Sequence, residues 1–165
     1  MKALEPFYKA LDIAKLKKDI KKDITLSGNI ALIKIQAKDA RGAISLLLEK
    51  LKIINERPDI ISESQKLNFY VSLCAAHINI EDYESASFYC DEGMKISKSL
   101  KKTRAIPHFL SAFAEIETSK GNYKRAHELL DETEELLSET NTDKSLELFV
   151  KLYRGKAYYA AEKYN

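Results

Sequence analysis

Apolar residues recur along almost the whole chain at positions i, i+3, i+4 and i+7, which is the spacing of one buried helix face. The segment AISLLLEKLKII (43–54) is one example. The strict alternation of apolar and polar residues that is typical of strands does not occur. The pattern therefore predicts an all-α chain.

Polar segments interrupt this pattern and predict the connections between helices. They are TLSGN (25–29), NERPDIISES (55–64), LKKTRAIP (100–107) and SETNTDK (138–144). Pro58 and Pro107 suit a helix boundary or first turn, and Ser62 with Gln65 fits a capping box. Eight helices are predicted, over residues 3–18, 24–37, 40–54, 65–79, 83–98, 107–120, 123–138 and 144–161.

Small residues recur in these helices with a long period. An alanine near the start of the second helix of each predicted pair recurs with spacings of 43 and 40 residues, at Ala43, Ala86 and Ala126. A matching small residue lies twelve positions earlier, in the first helix, at Ala31, Cys74 and Ala114. Small residues at facing positions let two helix axes approach closely. The spacing therefore predicts a repeat of helix pairs.

In this layout the chain resembles the tetratricopeptide (TPR) repeat, and the segment 109–137, FLSAFAEIETSKGNYKRAHELLDETEELL, matches the family pattern best. Three features depart from it. The spacing exceeds the roughly 34 residues of the standard repeat, and Ala40 stands where an aromatic residue is expected. Lys34, His77 and Glu117 stand where the family has a tyrosine. The resemblance implies a right-handed α-solenoid that forms one domain over residues 1–165. It implies three complete repeats with a half repeat at each end.

The two half repeats lead to a hypothesis about assembly. ALEPFYKAL (3–11) reads as the second helix of a repeat, and LYRGKAYYAAEKY (152–164) reads as the first helix of one. The last helix of one copy could then pack on the first helix of another copy. The basic residues 1–25 and the acidic residues 128–147 would favour that contact. A homo-oligomer is one expectation.

Composition places the chain among folded proteins outside the membrane. Its 165 residues are 45% hydrophobic and 32% charged, and no apolar run is long enough to span a bilayer. The N-terminal residues lack the apolar core of a secretory signal, so a cytoplasmic location is expected. Two cysteines, Cys74 and Cys90, are too few for a disulfide framework, which predicts reduced side chains. A net charge of +2 does not predict nucleic-acid binding.

Residues that could carry chemistry are scattered along the chain. His77, His108 and His127 have no cysteine or glutamate at metal-ligand spacing. No glycine-rich phosphate loop or nucleophile elbow occurs. The lysine cluster KLKKDIKKD (15–23) is interleaved with aspartates, which favours a solvated helix end over phosphate contacts. The sequence therefore predicts neither an enzyme nor a metal or cofactor site.

The resemblance implies a binding surface on the concave face, which the first helix of each repeat would line. The residues that it assigns there are Asn29, Leu32, Gln36, Asn68, Val71, Ser72, Asn79, His108, Ser111 and Glu115, and the same face includes Thr25 and Gly28. Amide side chains both donate to and accept from a peptide backbone, which suits an extended peptide or partner segment. The alternative interpretation is a polar face that only keeps the solenoid in solution.

Two functional hypotheses follow from the sequence. Repeats of this length with amides on the inner face resemble the peptide-sensing bacterial regulators of the Rgg, PlcR and Rap type. Members that regulate transcription carry an N-terminal helix-turn-helix segment, which is not seen in this chain, so DNA binding by the chain is not expected. The chain would then be the peptide-binding sensor part of such a regulator. The second hypothesis is a structural scaffold or assembly chaperone that binds a folded partner with the same surface.

Overall fold

A computed structural model describes residues 4–101, 103–140 and 144–164, and these residues form eight α-helices and no strand. The helices are α1 (Glu5–Leu16), α2 (Ile20–Gln36), α3 (Ala40–Glu56), α4 (Glu63–Asn79), α5 (Tyr83–Ser99), α6 (Ile106–Ser119), α7 (Tyr123–Thr140) and α8 (Lys144–Tyr164). A short 3-10 turn, Thr103–Ala105, precedes α6. None of the described helices is long and apolar enough to cross a membrane. The prediction of an all-α fold with eight helices is confirmed.

The start of α2 differs most from the sequence prediction. The helix begins at Ile20 rather than at residue 24, and the segment TLSGN lies inside it. Asp19 explains the difference, because its carboxylate accepts a hydrogen bond from the backbone N–H of Lys22 at 3.0 Å. This N-cap satisfies one of the free backbone donors in the first turn and so starts the helix earlier.

Four of the connections between helices share one backbone motif. Lys18, Lys38, Glu81 and Gly121 have left-handed φ angles of 54°, 63°, 59° and 79°. In each case the backbone N–H of this residue donates to the carbonyl three positions back, and the next N–H donates to the carbonyl five positions back. This pattern ends a helix by satisfying its last carbonyl groups. The residue that follows is always Asp or Asn, the side chains preferred at an N-cap.

The contacts within the chain define two compact units, residues 1–82 (unit 1) and residues 83–165 (unit 2). In unit 1, α2 packs on α1, α3 and α4, and α3 also packs on α4. In unit 2, α6 packs on α5, α7 and α8, and α7 also packs on α8. The same packing pattern therefore occurs in each unit, as expected of a helical repeat. The assignment of one domain to residues 1–165 stays a prediction.

Small residues lie where the paired helices are in contact. Ala31 of α2 and Ala43 of α3 are completely buried in unit 1, as are Ala114 of α6 and Ala126 of α7 in unit 2. The second pair belongs to an apolar cluster formed by Leu110, Ala114, Ala126, Leu129, Leu130, Leu137 and Val150. The burial of these alanines agrees with the close helix approach that their spacing predicted.

The two cysteines are also buried, Cys74 in α4 and Cys90 in α5. Cys74 is thus buried like Ala31 and Ala114, the other small residues at this position of the repeat. Neither cysteine is a free thiol in the structure, which corrects the expectation of reduced cysteines.

Ala126→Leu is expected to lower the free energy of unfolding by about 1–3 kcal/mol, because the larger side chain would overpack the contact between α6 and α7. Urea denaturation at pH 7 measures the change. Lys124→Leu introduces the same side chain at an exposed position of α7 and serves as the control. Equal stability of the two variants would mean that the helix register in unit 2 is wrong.

Opposite substitutions at Gly121 and Lys38 test the left-handed backbone motif that the connections share. Gly121→Ala is expected to lower the free energy of unfolding by about 1 kcal/mol, because a Cβ is unfavourable at this positive φ. Lys38→Gly should raise it by a similar amount, since it removes that conflict at the equivalent position. Ala37→Gly, where φ is −80°, is the control for the second change. If Lys38→Gly were no more stable than Ala37→Gly, the left-handed backbone at Lys38 would not affect the free energy of unfolding.

Candidate functional site

A groove of about 300 Å³ lies in unit 1 between α2 and α4, and we call it the α2–α4 groove. Helix α2 contributes Ile24, Thr25, Gly28, Asn29 and Leu32, and helix α4 contributes Gln65, Asn68, Phe69, Val71 and Ser72. Leu47 of α3 and Ile61 of the connection between α3 and α4 complete the lining. Every one of these side chains is uncharged.

Helical spacing brings the lining residues together. Four of the α2 residues, Thr25, Gly28, Asn29 and Leu32, follow the i, i+3, i+4, i+7 pattern and so share one face. Asn68, Val71 and Ser72 follow the same spacing on α4. Because α2 packs directly on α4, the two faces form opposite walls of the groove.

A capping box fixes the start of α4, as the sequence predicted. The Ser62 hydroxyl accepts from the backbone N–H of Gln65 at 3.2 Å, and the Gln65 side-chain oxygen accepts from the backbone N–H of Ser62 at 3.0 Å. The two hydrogen bonds satisfy two backbone donors that the helix itself leaves unpaired. They also hold the Gln65 side chain at the end of the groove.

The groove has an apolar floor and a rim that includes both apolar and amide side chains. Ile24, Leu47, Ile61 and Phe69 are all buried. Leu32 stands at the edge with 50% of its surface exposed. An exposed leucine beside a buried apolar floor gives a ligand both a surface to cover and a cavity to fill.

Three polar groups of the lining have unused hydrogen-bonding capacity. Within the described part of the chain, the side chains of Asn29, Asn68 and Ser72 make no hydrogen bond. The hydroxyl of Thr25, by contrast, donates to the Lys21 carbonyl at 2.9 Å. Asn29 and Asn68 are exposed, so each amide presents both donors and an acceptor at the rim.

A buried ion pair connects α2 and α3, and its residues Asp23 and Lys50 are near Ile24 and Leu47 of the groove in sequence. Lys50 of α3 is only 2% exposed, and its Nζ lies 3.0 Å from Asp23 Oδ1 and 2.8 Å from Glu49 Oε1. The Ser27 hydroxyl donates to the same Asp23 carboxylate at 3.1 Å. Burial would lower the pKa of the Lys50 ammonium, but hydrogen bonds to Glu49 and Asp23 outweigh it and raise the pKa above its ordinary value.

The structure brings five of the ten residues assigned to the binding surface into the α2–α4 groove: Asn29, Leu32, Asn68, Val71 and Ser72. Gln36 and Asn79 are exposed at the last positions of α2 and α4 and lie outside the lining. The other three residues belong to unit 2.

A second groove, of about 650 Å³, lies in unit 2 and includes residues of α6 and α8. Glu115 lines it, and its Oε1 accepts from Lys156 Nζ at 2.9 Å. Burial, and after it the negative charge of Glu115, raises the pKa of Tyr153 to about 12. His108 is half-buried outside this lining, and Ser111 is 2% exposed with its hydroxyl donating to the Pro107 carbonyl. Glu115 is thus paired within the protein.

Sequence reasoning missed the floor of the α2–α4 groove. Leu47, Ile61 and Phe69 come from three different parts of the chain and read only as core residues in the hydrophobic pattern. The pattern shows that such side chains are buried, but it does not show which of them border an empty volume.

Comparison with known proteins does not assign a function. No protein-family model, curated protein or solved structure matches this chain. The resemblance to the tetratricopeptide repeat therefore rests on the quoted residues alone. Within residues 4–101, 103–140 and 144–164, no group of three or more His, Cys, Asp or Glu residues could hold a metal ion.

Lys50→Met is expected to lower the free energy of unfolding by about 3 kcal/mol, because it leaves the partly buried Asp23 carboxylate without its cation. The double variant Lys50→Met/Asp23→Leu should recover most of this loss, since it removes both charges. Urea denaturation at pH 7 measures both variants, with exposed Lys52→Met as the control. A loss no larger than the control's would show that the ion pair does not hold α2 against α3.

The same variants give a pH dependence. Because the folded protein raises the pKa of Lys50, the stabilisation by the charged lysine is complete below its ordinary pKa of 10.5 and is lost as the pH rises above that value. The difference in stability between the wild-type protein and Lys50→Met should therefore shrink in strongly alkaline buffer.

Proposed function

We propose that this chain is a binding module that holds an extended polypeptide segment in the α2–α4 groove. One observation carries the proposal: Asn29 and Asn68 face the same apolar groove from two helices, and neither side chain has a hydrogen-bond partner among the described residues. An extended backbone presents alternating N–H and C=O groups, which amide side chains can bind whatever the peptide sequence.

The energetics of peptide binding require both parts of the groove. A peptide amide that leaves water without a new partner costs about 1–3 kcal/mol, so the backbone needs donors and acceptors such as Asn29 and Asn68. The apolar floor supplies the favourable term, because full burial of one leucine-sized side chain contributes about 1.5–3 kcal/mol. The polar groups at the rim can therefore bind the peptide backbone, and the apolar groups at the floor can bury its side chains.

The chemistry of the lining favours binding over catalysis. Its side chains are aliphatic, aromatic, hydroxyl and amide groups, and none of them titrates near neutral pH. General acid–base catalysis needs such a group within reach of the substrate. The proposal agrees with the resemblance to peptide-sensing regulators, in which the chain would be the sensor part.

The alternative is a scaffold or assembly chaperone that binds a folded partner. A folded partner covers a broad surface of roughly 800 Å² on each side. A groove of about 300 Å³ is instead suited to a few side chains of an extended segment. The groove therefore favours the peptide-binding proposal.

Asn68→Ala and Asn29→Ala are each expected to weaken peptide binding roughly fivefold or more, which corresponds to about 1 kcal/mol. Peptides selected from a displayed library of random decapeptides serve as ligands, and isothermal titration measures Kd. Asn79→Ala, on the same helix as Asn68 but outside the groove lining, is the matched control and should leave Kd unchanged. Circular dichroism checks that each variant remains folded.

Two results would contradict the proposal. One is that the wild-type protein enriches no peptide from the library. The other is that Asn79→Ala weakens binding while Asn29→Ala and Asn68→Ala do not. Either result would favour the scaffold hypothesis.

A further inference from the structure

Gly28 occupies the middle of α2, eight positions from either end of the helix Ile20–Gln36. Apart from proline, glycine is the least favourable residue in a helix interior, because it loses the most backbone freedom on folding. Its backbone is helical there, and its φ angle is not among the positive values in the chain. Backbone geometry therefore gives no reason for a glycine at this position.

Packing within the protein gives no reason either. A Cβ added to Gly28 would lie 3.6 Å from Cζ of Phe69 and 3.7 Å from its Cε2, which are ordinary van der Waals distances. Two other helical glycines behave differently. A Cβ on Gly93 would overlap the Phe109 ring, and a Cβ on Gly42 would overlap the Asp39 carboxylate. The buried Phe109 ring requires Gly93, whereas Gly28 could be alanine.

The position of Gly28 shows the effect of having no side chain there. The residue lines the α2–α4 groove one turn from Ile24 and one turn from Leu32, opposite the ring of Phe69. The nearest heavy atoms to its added Cβ belong to the Phe69 ring in the floor of the groove. A Cβ at this position would contact that ring and fill part of the groove, so the glycine leaves the groove open beside Phe69.

We infer that Gly28 is a specificity-determining residue that admits one bulky, uncharged side chain of the bound peptide, such as Leu, Ile, Met or Phe. This inference rests on the proposed peptide-binding function. The side chain would lie on Phe69 between Ile24 and Leu47, all of which are buried and apolar.

The uncharged lining explains why the accepted side chain is apolar. A lysine or glutamate of the peptide would lose water on entering the groove and would find no opposite charge among the lining residues. The groove has room for a few side chains of the peptide, and one of them would lie beside Gly28. About 300 Å³ lies at the lower end of the range of roughly 300–1,000 Å³ for sites that bury small ligands.

Gly28→Ala tests the inference, with Gly155→Ala as the matched control. Gly155 lies in the interior of α8, and a Cβ added there would meet nothing within 4 Å. Both changes should raise Tm, by about 2–4 °C, because alanine is more favourable than glycine in a helix interior. Only Gly28→Ala should affect the groove.

The binding measurement uses selection from the random decapeptide library, followed by titration with the selected peptides. The wild-type protein should enrich peptides with one bulky apolar residue at a fixed position. Gly28→Ala should shift that position towards Ala and Val and should raise the Kd of the wild-type-selected peptides about fivefold or more. Gly155→Ala should select the same peptides as the wild-type protein, with unchanged Kd.

The possible failures can be told apart. The wild-type protein could enrich peptides that require Asn68 but have no fixed apolar residue, or Gly28→Ala could enrich the same peptides as the wild-type protein. Either result would overturn this inference and leave the proposed function standing. A lower Tm for Gly28→Ala would also overturn it, because it would show that packing on Phe69 requires the glycine. If the wild-type protein enriched no peptide, the proposed function and this inference would both fail.

Discussion

The close approach of paired helices through small residues is the constraint on which the rest of the structure depends. In unit 1, Ala31 of α2 and Ala43 of α3 are completely buried. Since neither side chain extends beyond Cβ, the two helices can pack closely enough for Leu47, one turn further along α3, to reach the floor beside α2. The packing residues of the repeat thus form one side of the α2–α4 groove.

The apolar periodicity predicted the helices and the spacing of small residues predicted their pairing, but neither predicted how each helix ends. Ala43 and Ala126 each mark a contact between two helices. Such a contact constrains which segments are helical and which helices pair more than it constrains the residues at which each helix begins and ends. The boundaries depend on local hydrogen bonds. At Lys18 and Lys38 the chain adopts the left-handed conformation with a lysine, so the glycine that usually signals it is absent. The aspartate that follows was the usable signal, and at Asp19 it would have placed the start of α2 correctly.

The sequence likewise predicted one part of the candidate site and not the other. The rim of the groove, including Asn29 and Asn68, could be predicted because helical periodicity and the repeat register assign residues to a face. Its floor could not be predicted, because Leu47 and Phe69 are buried core residues by pattern, and only the three-dimensional packing leaves a volume above them. The sequence likewise did not predict that Ser111 would be buried and bonded to its own helix. The repeat register identifies the helix face on which a residue lies, whereas the exposure of that residue depends on the neighbouring helices.

The balance between stability and binding distinguishes Gly28 from two other glycines of the chain. Gly93 and Gly121 are required by the folded structure, one by the ring of Phe109 and the other by a positive φ. Gly28 makes its helix less stable, and no contact within the protein requires it. Proteins commonly retain local instability where a ligand has to fit, because the bound ligand then supplies the missing packing. Under the proposed peptide-binding function, a peptide side chain would complete the core in the space beside Phe69.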